Sequence, residues 1–225
     1  MLGSVAFAAI VAGALVAVFA LRSGGSTPPR TSVTGAGLVA ALLRGIPQHG
    51  TTLGSSTARV TLVEFADLQC PYCGMWERGA LPTIVRRYVR TGKVRVVFEG
   101  LDFLGPDSAT ALQTALAAAD QHRFWNVLEL LYENQGEENS GWVTDSLLRA
   151  VGAAVPGLDT DRMLADRSSA AVSRALAQSE AAARDAGVTA TPTFAIGSGG
   201  QMRLVHVTSL DASALTPALD AALKS

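Results

Sequence analysis

The chain has 225 residues, of which 48% are hydrophobic, so it is long enough to bury one well-packed core and to add a further segment. Its 18 Lys and Arg residues nearly balance its 19 Asp and Glu residues, and the sequence has no basic patch with interleaved aromatic residues. The sequence therefore lacks the clustered positive charge that is typical of nucleic-acid-binding proteins.

The first feature along the chain is a run of twenty residues without a charge, 2–21, which is long enough to span a bilayer core as a helix. Its length favours an uncleaved membrane anchor, whereas the residues at 18–20 fit the alternative of a signal peptide that is removed. Because Arg22 follows this run, the positive-inside tendency does not define its orientation. Residues 22–57 begin with a stretch rich in Gly, Pro and Ser, and they are expected to form a flexible tether with one short helix over 38–43.

The next part of the chain has a regular pattern of strands and a helix. The apolar run 60–66 is rich in β-branched residues and predicts a buried strand, which is followed by a predicted helix over 70–90 and a second strand over 93–98. This order favours parallel pairing of the two strands with a right-handed crossover. Pro82 lies within the predicted helix and is expected to kink it.

A long helical segment follows, 107–186, in which apolar residues recur at three- and four-residue spacing. Its charges are mixed in sign, which predicts solvated helix surfaces. Two strand-like runs, 193–196 and 203–207, then predict a hairpin, and a closing helix comes after them. The sequence therefore predicts a mixed four-stranded sheet flanked by helices, built from residues 58–106 and 187–225, with 107–186 inserted as a helical subdomain.

The chain has only two cysteines, Cys70 and Cys73, and they lie directly after the first predicted strand. Pro71 then occupies the first helical position, where its missing N–H costs nothing. A sulfur at a helix N-terminus faces unpaired N–H groups and the positive end of the helix dipole, which stabilise a thiolate. Cys70 is therefore the predicted nucleophile, and Cys73 is predicted to attack the mixed disulfide that Cys70 forms. This exchange uses the cysteine pair alone, so no cofactor is expected.

Two other uses of the cysteine pair remain open at this level. A structural zinc site needs two more ligands, and the three histidines, at 49, 122 and 206, lie in separate segments without paired spacing. A purely structural disulfide is the second alternative, although a cross-link over so short a loop stabilises little. The sequence favours a redox-active pair over both.

Three features together resemble the DsbA-like thiol:disulfide oxidoreductases of the thioredoxin superfamily. They are the strand that leads into Cys70-Pro71-Tyr72-Cys73, the long helical insertion, and the Thr191-Pro192 motif before the hairpin. The resemblance implies a thioredoxin-like fold in which Pro192 is cis and lies against the cysteine pair, while the backbone of Thr191 pairs with an extended substrate peptide. Pro71 and Tyr72 are further predicted substrate-binding residues. Glutaredoxins share the same four-residue motif, but they are short proteins without the insertion.

Glu64 is the only charged residue in the first predicted strand. The resemblance implies that a buried acid near this position passes a proton to the resolving thiol, so Glu64 is predicted to assist Cys73. The alternative is a strand-edge glutamate that reaches water. Relatives with the strongest oxidising power have a histidine where this chain has Tyr72, which leaves the strength of the oxidant open.

The sequence as a whole predicts an extracytoplasmic enzyme, since a disulfide persists in an oxidising compartment. It is expected either to be anchored in the cell membrane by one N-terminal helix or to be secreted after signal cleavage. Its predicted reaction is donation of the Cys70–Cys73 disulfide to cysteines of exported, incompletely folded proteins. Because the chain has no second cysteine pair, the resemblance implies a membrane-embedded, quinone-linked partner that recycles it. A reductase or isomerase on the same fold, and a peptide-binding or chaperone module with incidental cysteines, are the alternatives.

Overall fold

The computed structural model describes residues 32–224. The predicted membrane anchor, 2–21, and the first ten residues of the predicted tether lie outside the described residues. Within 32–224, no helix has both the length and the apolar character needed to cross a membrane.

One mixed sheet forms the centre of the described chain. Its strands are β1 (Gln48–His49), β2 (Thr52–Leu53), β3 (Val60–Asp67), β4 (Val94–Leu101), β5 (Thr193–Ser198) and β6 (Gln201–Val205). Their order across the sheet is β1-β2-β4-β3-β5-β6, with β3 and β4 parallel and the other neighbours antiparallel. The predicted parallel pair and hairpin are both present.

The sheet has six strands rather than the predicted four, and it begins before residue 58. The two additional strands, β1 and β2, have two residues each, which is too short for an alternating pattern to be visible in the sequence. They lie in the segment predicted to be a tether, and Leu53 is fully buried. This part of the predicted tether is therefore part of the folded domain.

Helices flank the sheet. Their bounds are α1 (Ala36–Leu43), α2 (Pro71–Gly79), α3 (Leu81–Ile84), α4 (Pro106–Ala117), α5 (Phe124–Glu133), α6 (Asp145–Ala153), α7 (Thr160–Ala165), α8 (Ala170–Ala186) and α9 (Ala212–Ala222). Helix α1 is the short helix predicted within the tether. Helices α4 to α8 lie between β4 and β5 in the chain, where the insertion was expected.

The predicted single helix over 70–90 is divided into three parts. Helix α2 ends at Gly79, α3 begins at Leu81, and one π-helical turn, Val85–Val89, follows. Pro82 lies in the first turn of α3, where a residue without an N–H loses no helical hydrogen bond. The proline therefore coincides with a new helix start rather than with a kink inside a continuous helix.

The topology brings three loops to one edge of the sheet. The parallel strands β3 and β4 end together, with Asp67 opposite Leu101, and the antiparallel β5 begins at the same edge, with Thr193 opposite Phe65. The cysteine motif after β3, the loop after β4 and Thr191-Pro192 before β5 therefore converge.

A shared core joins the sheet to the helical insertion. Trp76 of α2 contacts Phe194 of β5 with ring centroids 4.5 Å apart, and Phe98 of β4 contacts Phe124 of α5 at 5.7 Å. All four side chains are at most 1% exposed and belong to one apolar cluster. The aromatic side chains of α2 and α5 thus position the active-site helix against the sheet.

Candidate active site

Cys70 is the N-cap residue of α2, and Pro71 follows in the first turn, as the sequence predicts. The Cys73 backbone N–H donates to the Cys70 sulfur at 3.4 Å, so the sulfur takes the place of the oxygen that commonly caps a helix. Both cysteines are unbonded, and Cys70 is 4% exposed whereas Cys73 is fully buried. Cys70 is therefore the member of the pair that retains contact with solvent.

The two thiols have opposite shifts in acidity. A hydrogen bond from the Cys73 thiol lowers the pKa of Cys70 to about 6, and the backbone N–H groups of Cys73 and Tyr72 act in the same direction against the effect of burial. Burial raises the pKa of Cys73, and its hydrogen bond to Cys70 and the charge on that sulfur add to the effect. This arrangement supplies an ionised attacking sulfur beside a protonated second thiol.

Thr191 and Pro192 lie against the nucleophile. The Thr191–Pro192 peptide bond is cis, and the Cys70 sulfur lies 3.4 Å from the Thr191 carbonyl oxygen. The structure thus places these two residues beside Cys70, where the resemblance led us to expect them. Their role in binding a substrate peptide stays a prediction.

Side chains from several elements fix the loop before Cys70. Asp67 accepts hydrogen bonds from the Gln69 N–H at 2.8 Å, from the Ser108 hydroxyl at 2.6 Å and from the Leu104 N–H at 3.2 Å. Gln135, just after α5, donates its amide to the carbonyls of Leu68 at 2.9 Å and Cys70 at 3.0 Å. Residues of the insertion therefore determine the shape of the active-site loop.

Glu64 is completely buried, since β3 lies between β4 and β5, so the strand-edge alternative is wrong. Its Oε2 accepts a hydrogen bond from the Trp76 indole N–H at 2.9 Å. Burial raises the pKa of Glu64 to about 8, against the lowering effect of hydrogen bonds with Glu77 and Trp76. A carboxyl with this pKa is mostly protonated at neutral pH.

Two further glutamates, Glu77 on α2 and Glu129 on α5, are buried near Glu64, and sequence reasoning missed both. The mixed charges along these helices predict solvated surfaces, which is wrong for these two residues. A better signal was available for Glu77, which follows Cys73 by one helical turn and so lies on the same helix face. Glu129 has apolar neighbours on both sides, Leu128 and Leu130.

Large apolar side chains are exposed around the cysteine motif. Tyr72 is 60% exposed, Met75 on α2 is 55% exposed, and Phe103 in the loop after β4 is 58% exposed. Pro71 is exposed as well. Exposed apolar residues of this size are typical of a surface that contacts a polypeptide.

Residues 32–224 contain no group of three or more His, Cys, Asp and Glu side chains that could bind a metal ion. Two of the three histidines, His49 and His122, contact each other with ring centroids 5.8 Å apart. The zinc alternative therefore finds no ligand set in the described part of the chain.

Comparison with known proteins adds to this geometry. A family model described as thioredoxin matches residues 48–211 of this chain. The chain belongs to the thioredoxin family. The predicted thioredoxin-like fold is thereby confirmed, and the matched residues include the cysteine motif and the Thr191-Pro192 motif.

Two of the relatives with curated names are disulfide bond formation proteins of bacilli. The probable disulfide bond formation protein D of Bacillus cereus is 34% identical over 118 residues, which are 51% of this chain and 55% of that protein. The disulfide bond formation protein D of Bacillus subtilis is 36% identical over 101 residues, 43% of this chain and 44% of that protein. The matched region thus spans about half the length of these relatives.

Among solved structures, oxidised BdbD of Bacillus subtilis superposes with a TM-score of 0.69 at 21% identity and covers 80% of this chain and 98% of its own. A thioredoxin-like oxidoreductase of Silicibacter pomeroyi superposes with a TM-score of 0.60 at 28% identity, over 83% of this chain and 98% of its own. At 21% identity, the similarity to BdbD is evidence for the fold alone.

Proposed function

We propose that this protein is a thiol:disulfide oxidoreductase that donates its Cys70–Cys73 disulfide to cysteines of exported, incompletely folded proteins. The observation that supports this proposal best is the Cys70 sulfur at the N-terminus of α2, with a pKa of about 6, beside the Thr191 carbonyl. The names of the bacillary relatives agree with this reaction. The cysteine pair is the redox group of the proposed mechanism.

In this mechanism a client thiolate attacks the Cys70 sulfur, which is the accessible end of the disulfide. The exposed side chains of Tyr72, Met75 and Phe103 provide apolar contact surface for the client chain, and Thr191 offers backbone hydrogen bonds. Stabilisation of the Cys70 thiolate favours the reduced form of the pair, and a favoured reduced form makes the disulfide a stronger oxidant. This argument favours the oxidase over the reductase and isomerase alternatives.

The reduction potential of the pair tests the direction of the reaction. We expect a value clearly less negative than the roughly −270 mV of thioredoxin. Equilibration of the full chain with glutathione buffers, followed by trapping of free thiols, gives this value. A potential as negative as that of thioredoxin contradicts the oxidase proposal and favours the reductase alternative.

We further propose that residues 2–21 anchor the protein in the cell membrane with the folded domain outside the cytoplasm, where a membrane-embedded redox partner recycles the cysteines. The uncharged run and the need for an oxidising compartment support this arrangement.

Because Cys70 and Cys73 are the only thiols, a membrane-impermeant maleimide tests the compartment directly. After treatment of intact cells with an impermeant reductant, we expect labelling of Cys70 without lysis. The Cys70→Ser variant is the matched control. Labelling that requires lysis contradicts the extracytoplasmic location, and recovery of the labelled protein in the medium indicates the secreted alternative.

A further inference from the structure

Three glutamates from three elements meet in the interior next to the cysteine pair. Glu64 comes from β3, Glu77 from α2 and Glu129 from α5, and their exposed fractions are 0%, 0% and 2%. An isolated ionised carboxylate is very costly at such depth, so groups in this position stay neutral unless a cation or a set of donors compensates them. Among the described residues, none of the three forms an ion pair with a Lys or Arg side chain.

Glu77 connects the other two carboxyl groups. No N–H or hydroxyl donor of the described chain reaches either of its side-chain oxygens, while its carboxyl interacts with Glu64 on one side and with Glu129 on the other. Two carboxyl groups share a hydrogen bond only when at least one of them is protonated. The three glutamates therefore form a row of groups that can pass protons.

The inner end of the row lies at the active site. The charge of Glu64 acts on the thiol of Cys73, and the Trp76 indole fixes one oxygen of Glu64 in place. Trp76 and Glu64 are 1% and 0% exposed, so both groups of this hydrogen bond are buried.

The outer end of the row lies at a cavity of about 470 Å³ beneath α1, whose wall includes both Glu77 and Glu129. Arg90 donates to the carbonyls of Leu42 at 2.6 Å and Ala41 at 3.0 Å and so attaches the end of α1 to the domain. None of the exposed apolar residues around the cysteine motif lines this cavity. It is a separate access from solvent to the interior.

We propose that Glu64, Glu77 and Glu129 form a proton relay that connects Cys73 to this cavity, so that protons reach the cysteine pair while a client covers Cys70. This inference rests on the proposed function and extends it, because it assigns a role to Glu77 and Glu129 and a route for the proton.

The proposed step balances as follows. A client thiolate forms a bond to the Cys70 sulfur, the Cys70–Cys73 bond breaks, and Cys73 leaves with the electron pair as a thiolate. Glu64 gives this thiolate a proton. Glu77 then reprotonates Glu64, Glu129 reprotonates Glu77, and water in the cavity reprotonates Glu129. The second client thiolate then attacks the client sulfur, and Cys70 leaves as a thiolate. The client loses two electrons, which reduce the cysteine pair, and two protons. The proton that Cys73 gains balances one of these, and the other goes to solvent.

The relay is surrounded by other groups that carry or can acquire charge. Tyr132 on α5 lies near Cys73, Glu64 and Glu77. Arg78 and Glu133 line the same cavity, where Glu133 raises the pKa of Glu129 and Arg78 lowers it. The remaining charged or titratable neighbours are Asp67 beside Tyr132, Cys70, and Arg86 and Arg90 in the cavity wall.

Reduction of the oxidised full chain by dithiothreitol tests the relay, with acid quenching and thiol labelling between pH 6 and 9. A positioned proton donor contributes about a hundredfold or more in rate. For Glu129→Gln, which removes only the outer member, we expect about a tenfold slower reduction near pH 7. We expect this difference to shrink above about pH 8, where the glutamates of the unmodified protein lose their protons. Glu133→Gln is the matched control, because it neutralises a carboxyl in the same cavity wall outside the row. Because the charge of Glu133 raises the pKa of Glu129, we expect Glu133→Gln to keep the full rate near pH 7 and to move the profile at most slightly toward lower pH.

Rescue by a small acid separates proton transfer from a structural effect. We expect acetate to restore most of the lost rate in Glu129→Ala, since it can enter the cavity and supply the proton, and to leave Glu133→Ala unchanged. If Glu129→Ala does not fold, the pH profile of the isosteric Glu129→Gln decides. Any of three results overturns the relay. The pH profile of Glu129→Gln equals that of the control, its rate loss is the same at every pH, or Glu129→Ala folds but acetate does not rescue it. Dithiothreitol reduces the cysteine pair whether or not the protein acts as an oxidase in the cell. These results therefore test the relay alone, whereas a reduction potential like that of thioredoxin contradicts the oxidase proposal alone.

Discussion

Replacing Cys73 with serine is expected to turn a transient mixed disulfide into one that accumulates. Cys70 keeps its position as the helix N-cap in this variant, but no second thiol is present to release the client. The backbone N–H groups of residues 72 and 73, which lower the pKa of Cys70, remain in this variant, and the serine hydroxyl can take the place of the donating thiol. Capture by Cys70 should therefore remain efficient. Non-reducing gels and mass spectrometry of the trapped species identify both clients and the recycling partner.

Two matched variants complete this experiment. Cys70→Ser is expected to abolish exchange and to trap nothing, since Cys73 is fully buried with a raised pKa. The double variant Cys70→Ser/Cys73→Ser reports background. Trapping by Cys70→Ser instead of Cys73→Ser would reverse the assigned roles. Peptide binding that persists in every variant, without any mixed disulfide, would favour the chaperone alternative.

The features that sequence predicts correctly depend on residues close together in the chain. The strand before the motif, the N-cap position of Cys70 and the first-turn position of Pro71 all follow from apolar runs and capping preferences within a few residues. The position of Thr191 and Pro192 beside Cys70 is different, because 121 residues separate Thr191 from Cys70. That contact was predicted only through the resemblance to a known family.

The features that sequence analysis missed depend on contacts between distant segments. Glu129 is a helical residue whose environment depends on how the insertion packs against α2, and no periodic pattern specifies that packing. Gln135 reaches the active-site loop across 65 to 67 residues of chain. Strands β1 and β2 exist because the edge of β4 is available to pair with them, since two residues alone have no strand signal.

The oxidised protein is expected to lose stability as the pH rises from 5 to 8, and Glu77→Gln is expected to reduce that loss. Burial raises the pKa of Glu77, and the neighbouring carboxyl groups add to this effect. The stability that the retained proton contributes is therefore complete below the unfolded-state pKa of about 4.3, and it is lost as the pH rises toward the folded-state pKa. One proton retained by the folded state alone corresponds to about 1.4 kcal/mol per pH unit, which is up to about 4 kcal/mol between pH 5 and 8. Urea unfolding at several pH values measures the slope.

The oxidised form is chosen because the Cys70–Cys73 disulfide removes the opposite contribution of the Cys70 thiol, whose lowered pKa stabilises the reduced protein as pH rises. Asp67 and Glu99 also have raised pKa values, but they add the same slope to both proteins, so the difference between the curves belongs to the row of glutamates. Glu137→Gln, on the exposed surface, is the control and should leave the slope unchanged. Parallel curves for Glu77→Gln and the unmodified protein would mean that Glu77 is not a protonated, buried carboxyl in the folded state, and the proton row would then lose its central member.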